Sequence, residues 1–203
     1  MVDADITVFL TTAQYTRKSK GPDGRAEFTG QSHFRMTNEW VGVPLFGPRR
    51  APLDQVKVSR EPQALGKLEM AVRPMDEHAQ WFMGHVRRAG TLAQLGVAHL
   101  QDLNDQLGLG LVMATDREIG VTADQHEGTD WMLAIAKAVG ATVYSAGGSA
   151  VIHYLDPLKF EDAGVRVEIQ RWDEQTAPTV AVPGLSVFEW MRWAPLDLAE
   201  RLA

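Results

Sequence analysis

Between Gly110 and Trp172 the chain alternates short apolar, β-branched runs with amphipathic stretches. That alternation limits the folds open to it more than any other feature. "GLVMAT" (110–115) reads as a short buried strand, "GTDWMLAIAKAVGA" (128–141) as a helix and "ATVYS" (141–145) as a strand. "AVIHYLD" and "PLKFEDAG" are helical in character, and "VRVEIQRW" (165–172) is again a strand. An order of β–α–β–α–β favours a parallel sheet with crossover helices. Within the clearest helix, Thr129 or Asp130 is expected to cap the N-terminus. Trp131, Ile135 and Val139 share a face, and Gly140 stops the helix.

The first 60 residues are strand-rich. "ITVFLTTAQY" (6–15) reads as a strand, and "RKSKGPDGRAEFTGQ" as a loop or ragged hairpin with Gly-Pro and Asp-Gly turn signals. "SHFRM", "EWVGVPLF" and "DQVKVS" follow as short strands, with Pro44 at an edge or an end. Residues 61–109 are helical in character. The pattern is mixed from Gln63 to Met75. "DEHAQWFMGHVRRAG" then opens acidic and closes basic, and Leu92, Leu95, Leu100, Leu103 and Leu107 recur at near-helical spacing. The tail has a loop, then helix "LSVFEWMRW" and a short end helix. The expected fold is α/β, a mixed and partly parallel sheet with crossover helices. It forms one domain over 1–203, with parts at 1–60, 61–109 and 110–203.

Composition narrows the chemistry. The chain has 203 residues, enough for a core that buries about 70% of the unfolded surface without staples. It has no cysteine, which excludes disulfides, thiolate nucleophiles and Cys-ligated metals. A net charge of −6 argues against broad polyanion binding, so nucleic acid is disfavoured as a partner. No apolar run reaches the roughly 20 residues of a membrane span. "MVDADITVFL" lacks a secretory leader's pattern. A cytoplasmic protein is expected.

The six histidines form no HExxH motif. His78 and His85, seven apart, suit a surface helix face with two solvated histidines better than a metal site, so no metal is expected. Neither GxSxG, GxGxxG nor a P-loop occurs. "SAGGS" (145–149) still has the physics of a binding loop. It lies where a strand ends and a helix begins, and two glycines permit close approach. On spacing alone, a plain βα turn is favoured slightly over an anion seat. Arg17, Lys18, Lys20 and Arg25 form a local basic cluster just after the first strand, either a solvated loop or a phosphate contact. Of the six tryptophans, Trp131 and Trp190 fit core anchors, and Trp40 could line a cleft.

Several blocks together resemble the WbqC-like proteins of bacterial surface-polysaccharide and related modification clusters. The strongest are "GTDWMLAIAKAVGA", "TVYSAGGS", "HYLDPLKFEDAGVRVEIQRW" and "VPGLSVFEWM". Weaker counterparts are "ITVFLTTAQYTRKS", "HFRM" and "EWVGVPL". The chain departs from the family pattern in starting after its opening strand. Arg117 and Glu118 stand where the family has tandem serines, "TAPTVAV" replaces a "YpQ" segment, and Glu189 stands for an aspartate. It thus resembles a divergent, N-terminally shortened member.

The resemblance implies a group transferase acting on a phosphate-bearing small molecule, such as a nucleotide-linked sugar, with no cofactor specified. It implies substrate-binding roles for Arg17, Lys18, Arg35, Thr129, Ser145, Gly147 and Gly148. It implies catalytic roles for Asp156, Tyr144 and Tyr154. Two other expectations stay open: a DNA-base modification factor of a virus or mobile element, and a non-catalytic remnant that docks on a protein partner or a second copy.

Overall fold

The computed structural model of the chain describes residues 4–20, 26–28, 31–36, 39–48, 50–73, 77–147, 150–151 and 154–170. In chain order its strands are β1 (Ile6–Phe9), β2 (Lys18–Lys20), β3 (Ala26–Phe28), β4 (His33–Met36), β5 (Glu39–Gly42), β6 (Leu45–Phe46) and β7 (Lys57–Val58). β8 (Val112–Thr115), β9 (Val143–Gly147) and β10 (Arg166–Gln170) complete the set. The helices are α1 (Pro62–Val72), α2 (Glu77–Arg88), α3 (Leu92–Gln106), α4 (Gly128–Ala138) and α5 (Pro157–Asp162). The fold is mixed α/β, with parallel and antiparallel pairs, as expected from the alternation. The expected C-terminal helices lie outside the described residues. So do Trp190 and Trp193.

The packing divides into two compact units. The first comprises Asp3–Ala13 and Leu111–Thr179. Here β1 pairs in parallel with β8, and β9 in parallel with β10 through the α5 crossover. Trp131, Met132, Ile135 and Ala136 of α4 bury against Ala146, Leu155, Phe160 and Val165. Trp131 is therefore the anchor expected of it, with its indole N–H donating to the Val121 carbonyl at 3.1 Å. Gly140 has φ 69°, the left-handed stop that only glycine adopts cheaply.

The α4 cap differs from the expectation. Glu127 is the N-cap residue and makes no side-chain cap bond, while the Thr129 hydroxyl is engaged elsewhere.

The expected strand 6–15 also ends early, at Phe9. The cause is Asp116, which follows β8 and is fully buried. Its Oδ1 accepts from the Thr11 amide (2.9 Å), the Thr11 hydroxyl (2.5 Å) and the Arg117 amide (3.0 Å). Its Oδ2 accepts from the Thr12 amide (2.9 Å) and the Thr12 hydroxyl. The Thr12 hydroxyl in turn accepts from the Ala123 amide at 2.9 Å. A buried carboxylate is tolerable only when so fully bonded, and these bonds turn the chain out of the ladder. Glu118 closes the adjoining turn by accepting from the Thr115 amide (2.7 Å) and hydroxyl (2.9 Å).

The second unit comprises mainly Gln14–Gly110. Its core joins Val41, Val56, Val58, Leu68, Val72, Phe82, Met83 and Val86. The segment with a mixed pattern is α1: Pro62 opens it at a position where its missing N–H costs nothing, and Leu68 and Val72, four apart, form its buried face. α3 starts with a capping box between Thr91 and Gln94. Of its leucines, Leu92, Leu95 and Leu103 are buried. The Arg60 guanidinium donates to the Arg87 and Ala89 carbonyls (2.7 Å to the latter) and so finishes α2. "RKSKGPDGRAEFTGQ" contains the antiparallel pair β2–β3, the hairpin of the two expectations.

Asp116→Ala removes the acceptor for five donors at once. Buried donors left without partners cost about 1–3 kcal/mol each before relaxation, so the variant should lose about 3 kcal/mol or more. Urea unfolding followed by circular dichroism measures it. A loss within 0.5 kcal/mol would show the network to be dispensable.

Candidate functional site

In the first unit the structure draws Thr129, Tyr154 and Asp156 together. The Thr129 hydroxyl donates to the Tyr154 carbonyl at 2.7 Å and accepts from the Asp156 amide at 2.9 Å. The Asp156 carboxylate caps α5 by accepting from the Leu158 amide at 3.1 Å. Lys159 pairs with Asp130 at 2.6 Å. The Tyr144 ring lies 4.9 Å from the Phe160 ring at 36°. Burial, and then the nearby Tyr154, push the Tyr144 phenol up to about 12, so it is neutral at ordinary pH.

The two-residue period of β9 separates the candidates on it. Tyr144 and Ala146 face the core, whereas Val143, Ser145 and Gly147 face outward. Space above Gly147 is open to a depth of 4 Å. Ala150 and Val151 are helical, and Gly148 lies outside the described residues.

The second unit holds Arg17, Lys18 and Arg35. Gln31 ties the segment before β2 to the start of β4. Its Oε1 accepts from the Thr16 amide at 2.6 Å, and its Nε2 donates to the Gln14 carbonyl at 3.3 Å. This fixes a three-residue polar chain. Tyr15 Oη lies 2.8 Å from Ser32 Oγ, and Ser32 Oγ lies 2.9 Å from His33 Nδ1. Ser32 is buried and His33 partly so.

His33 pairs in register with Gly42 of β5, and a Cβ at Gly42 would stand 2.7 Å from His33 Nε2. The imidazole thus lies across a strand position where any larger residue would require the ring to shift. Burial first, then the charges of Arg17 and Lys18, lower the pKa of His33, so the ring is neutral at pH 7. Arg35, in β4, pairs with Trp40.

Trp40, expected to line a cleft, is 45% exposed and lines a groove of about 310 Å³ between β5 and α1. Gly42, Pro44, Ala64, Lys67 and Leu68 also line it.

The pair of solvated histidines is not found. His85 is only 4% exposed. Its Nε2 lies 2.8 Å from Asp102 Oδ2 of α3. The Trp81 indole donates to the same carboxylate at 3.0 Å and, with His85 and Arg88, holds Asp102 below the usual carboxylate range. His99 packs against Trp81, Phe82 and His85. Burial above all, and then His85, lower its pKa to about 4. No cluster of His, Asp and Glu among the described residues is arranged to hold a metal.

Sequence reasoning missed Asp116, the His85–His99–Asp102 cluster and the Tyr15–Ser32–His33 chain. Only the adjacency of Ser32 and His33 offered a local signal.

The family model for WbqC-like proteins matches residues 1–197, nearly the whole chain. The chain belongs to the WbqC-like protein family. No curated protein and no solved structure matches it. No helix among the described residues is long and apolar enough to cross a membrane.

His99 gives the second unit a defined acid response. Its folded pKa lies below the unfolded value near 6.5, so the unfolded chain takes up the proton first. The stability tied to neutral His99 is complete above about pH 6.5 and is lost as pH falls toward about 4. Wild type should lose about 1–2 kcal/mol more than His99→Gln between pH 7 and pH 5, read from denaturant midpoints. Parallel losses in both proteins would exclude His99 as the cause.

Proposed function

We infer that this chain is a cytoplasmic group transferase acting on a phosphate-bearing small molecule, such as a nucleotide-linked sugar in surface-polysaccharide or related biosynthesis. The observation that supports it is the exposed pair Arg17 and Lys18, next to a segment that Gln31 pins to the start of β4. In an acidic protein this pair of cations is a local basic site. Two adjacent cations suit phosphate oxygens, and Arg35 of β4 is added to them on the resemblance alone. Trp40, on the groove with Lys67, offers a flat apolar surface for a sugar or base ring.

In the first unit, taken by itself, Ser145 and Gly147 face outward on β9 and are candidates for polar contacts. Gly148 lies outside the described residues. Thr129 and Asp156 act there as the positioning pair that fixes Tyr154, while Tyr144, neutral and packed on Phe160, serves as a donor rather than a base.

A thermal-shift screen with nucleotide sugars, nucleotides and inorganic pyrophosphate tests the assignment. At least one phosphate-bearing compound should raise the melting temperature, and the Arg17→Ala/Lys18→Ala double variant should lose that shift while melting near wild type alone. An equal shift in both proteins would remove Arg17 and Lys18 from the site. No shift with any phosphate compound would remove the function.

A further inference from the structure

We propose that the groove between β5 and α1 is a nucleobase site, and that the phosphate-bearing substrate is therefore a nucleotide. This rests on the transferase reading above and narrows its substrate class. At about 310 Å³ the groove stands at the small end of ligand sites. Its strand wall is an unpaired edge, since among the described residues β5 pairs with β4 alone. The Val43 amide donates to the Ser32 carbonyl at 2.9 Å, so Ser32 and Val43 face each other as a hydrogen-bonding pair. In an antiparallel ladder such pairs alternate with non-bonded ones. His33 and Gly42, one step further along, are thus a non-bonded pair. The N–H and C=O of Gly42 therefore point away from β4, on the open edge of the strand, and Gly42 lines the groove.

The lining selects a base over a sugar ring. Gly42 presents a donor and an acceptor side by side, which matches the adjacent donor and acceptor on the Watson–Crick edge of a base. Trp40, two residues away and so on the same face of β5, is 45% exposed and lines the groove, which gives a flat ring an indole to stack on. Val41, Pro44, Ala64 and Leu68 add apolar walls that cannot bond the hydroxyls around a sugar, and a hydroxyl buried without a partner costs free energy. Lys67 supplies the charge for the nucleotide's phosphate. It is exposed on α1, and the positions three and four away from it are Gln63, Ala64, Met70 and Ala71, so the helix gives it no counter-ion. Glu69, the acid closest to it in sequence, is held by Arg87 at 3.0 Å.

Amide ¹H–¹⁵N spectra of the full chain test the proposal, titrated with AMP, GMP, CMP and UMP and, separately, with ribose 5-phosphate. At least one nucleotide should move the Gly42 amide and those of residues 64–71, and ribose 5-phosphate should leave them in place. Trp40→Ala should weaken that nucleotide about tenfold, and Lys67→Gln about threefold. Ala71→Phe fills the groove from an exposed helix position and should abolish the shift at Gly42, which keeps the test decisive if Trp40→Ala fails to fold. Ribose 5-phosphate that moves these amides as strongly as a nucleotide overturns the base assignment, and so does a Gly42 shift that survives Ala71→Phe. If the nucleotides leave Gly42 in place while any of the phosphate compounds moves residues 15–18, the groove falls and the transferase reading stands. If no compound moves any amide, both fall.

Discussion

The carboxylate of Asp116 is the constraint on which the first unit depends. β1 and β8 pair over only four residues, too short a ladder to fix their ends alone. Five donors converge on one buried side chain just beyond that ladder. The network ends β1 and sends the chain away at Thr12. Through the Thr12 hydroxyl it also holds the loop at Ala123, which leads toward α4. A charge here is stabilising only because every lone pair is matched. A half-matched version would be worse than an apolar plug.

The second unit solves a similar problem with side chains from separate elements. α2 and α3 bring His85, His99, Trp81 and Asp102 into one patch, where a partly exposed carboxylate collects the buried polar atoms. The segment before β2 and the start of β4 do the same for Tyr15 and Ser32. In each case a polar group is admitted to the interior by a partner distant in sequence, as buried polar groups require.

The alternation of period 2 and period 3.6 signals made the parallel β9–β10 pair, α4 and the start of α3 legible. Gly140 and the leucines of α3 acted through local rules. What could not be read was non-local. Thr11 and Thr12 look like strand residues until Asp116, over a hundred positions on, claims their amides. α1 was obscured because Gly66 and the exposed Met70 interrupt its apolar stripe, leaving Leu68 and Val72 to carry the packing. His85 looked solvated because its burial is supplied by α3. For the candidate site, Arg17 and Lys18 were visible as a charge cluster. Their effect on His33 was not, since it depends on Gln31 pinning one segment beside the other.

The same distinction ranks the candidate residues. Thr129, Asp156 and Tyr144 are committed to internal partners: a carbonyl, an amide, a neighbouring ring. Spending those contacts on a substrate would loosen the turn into α5. The Tyr15–Ser32–His33 chain is likewise internal, with each polar atom within 3 Å of the next.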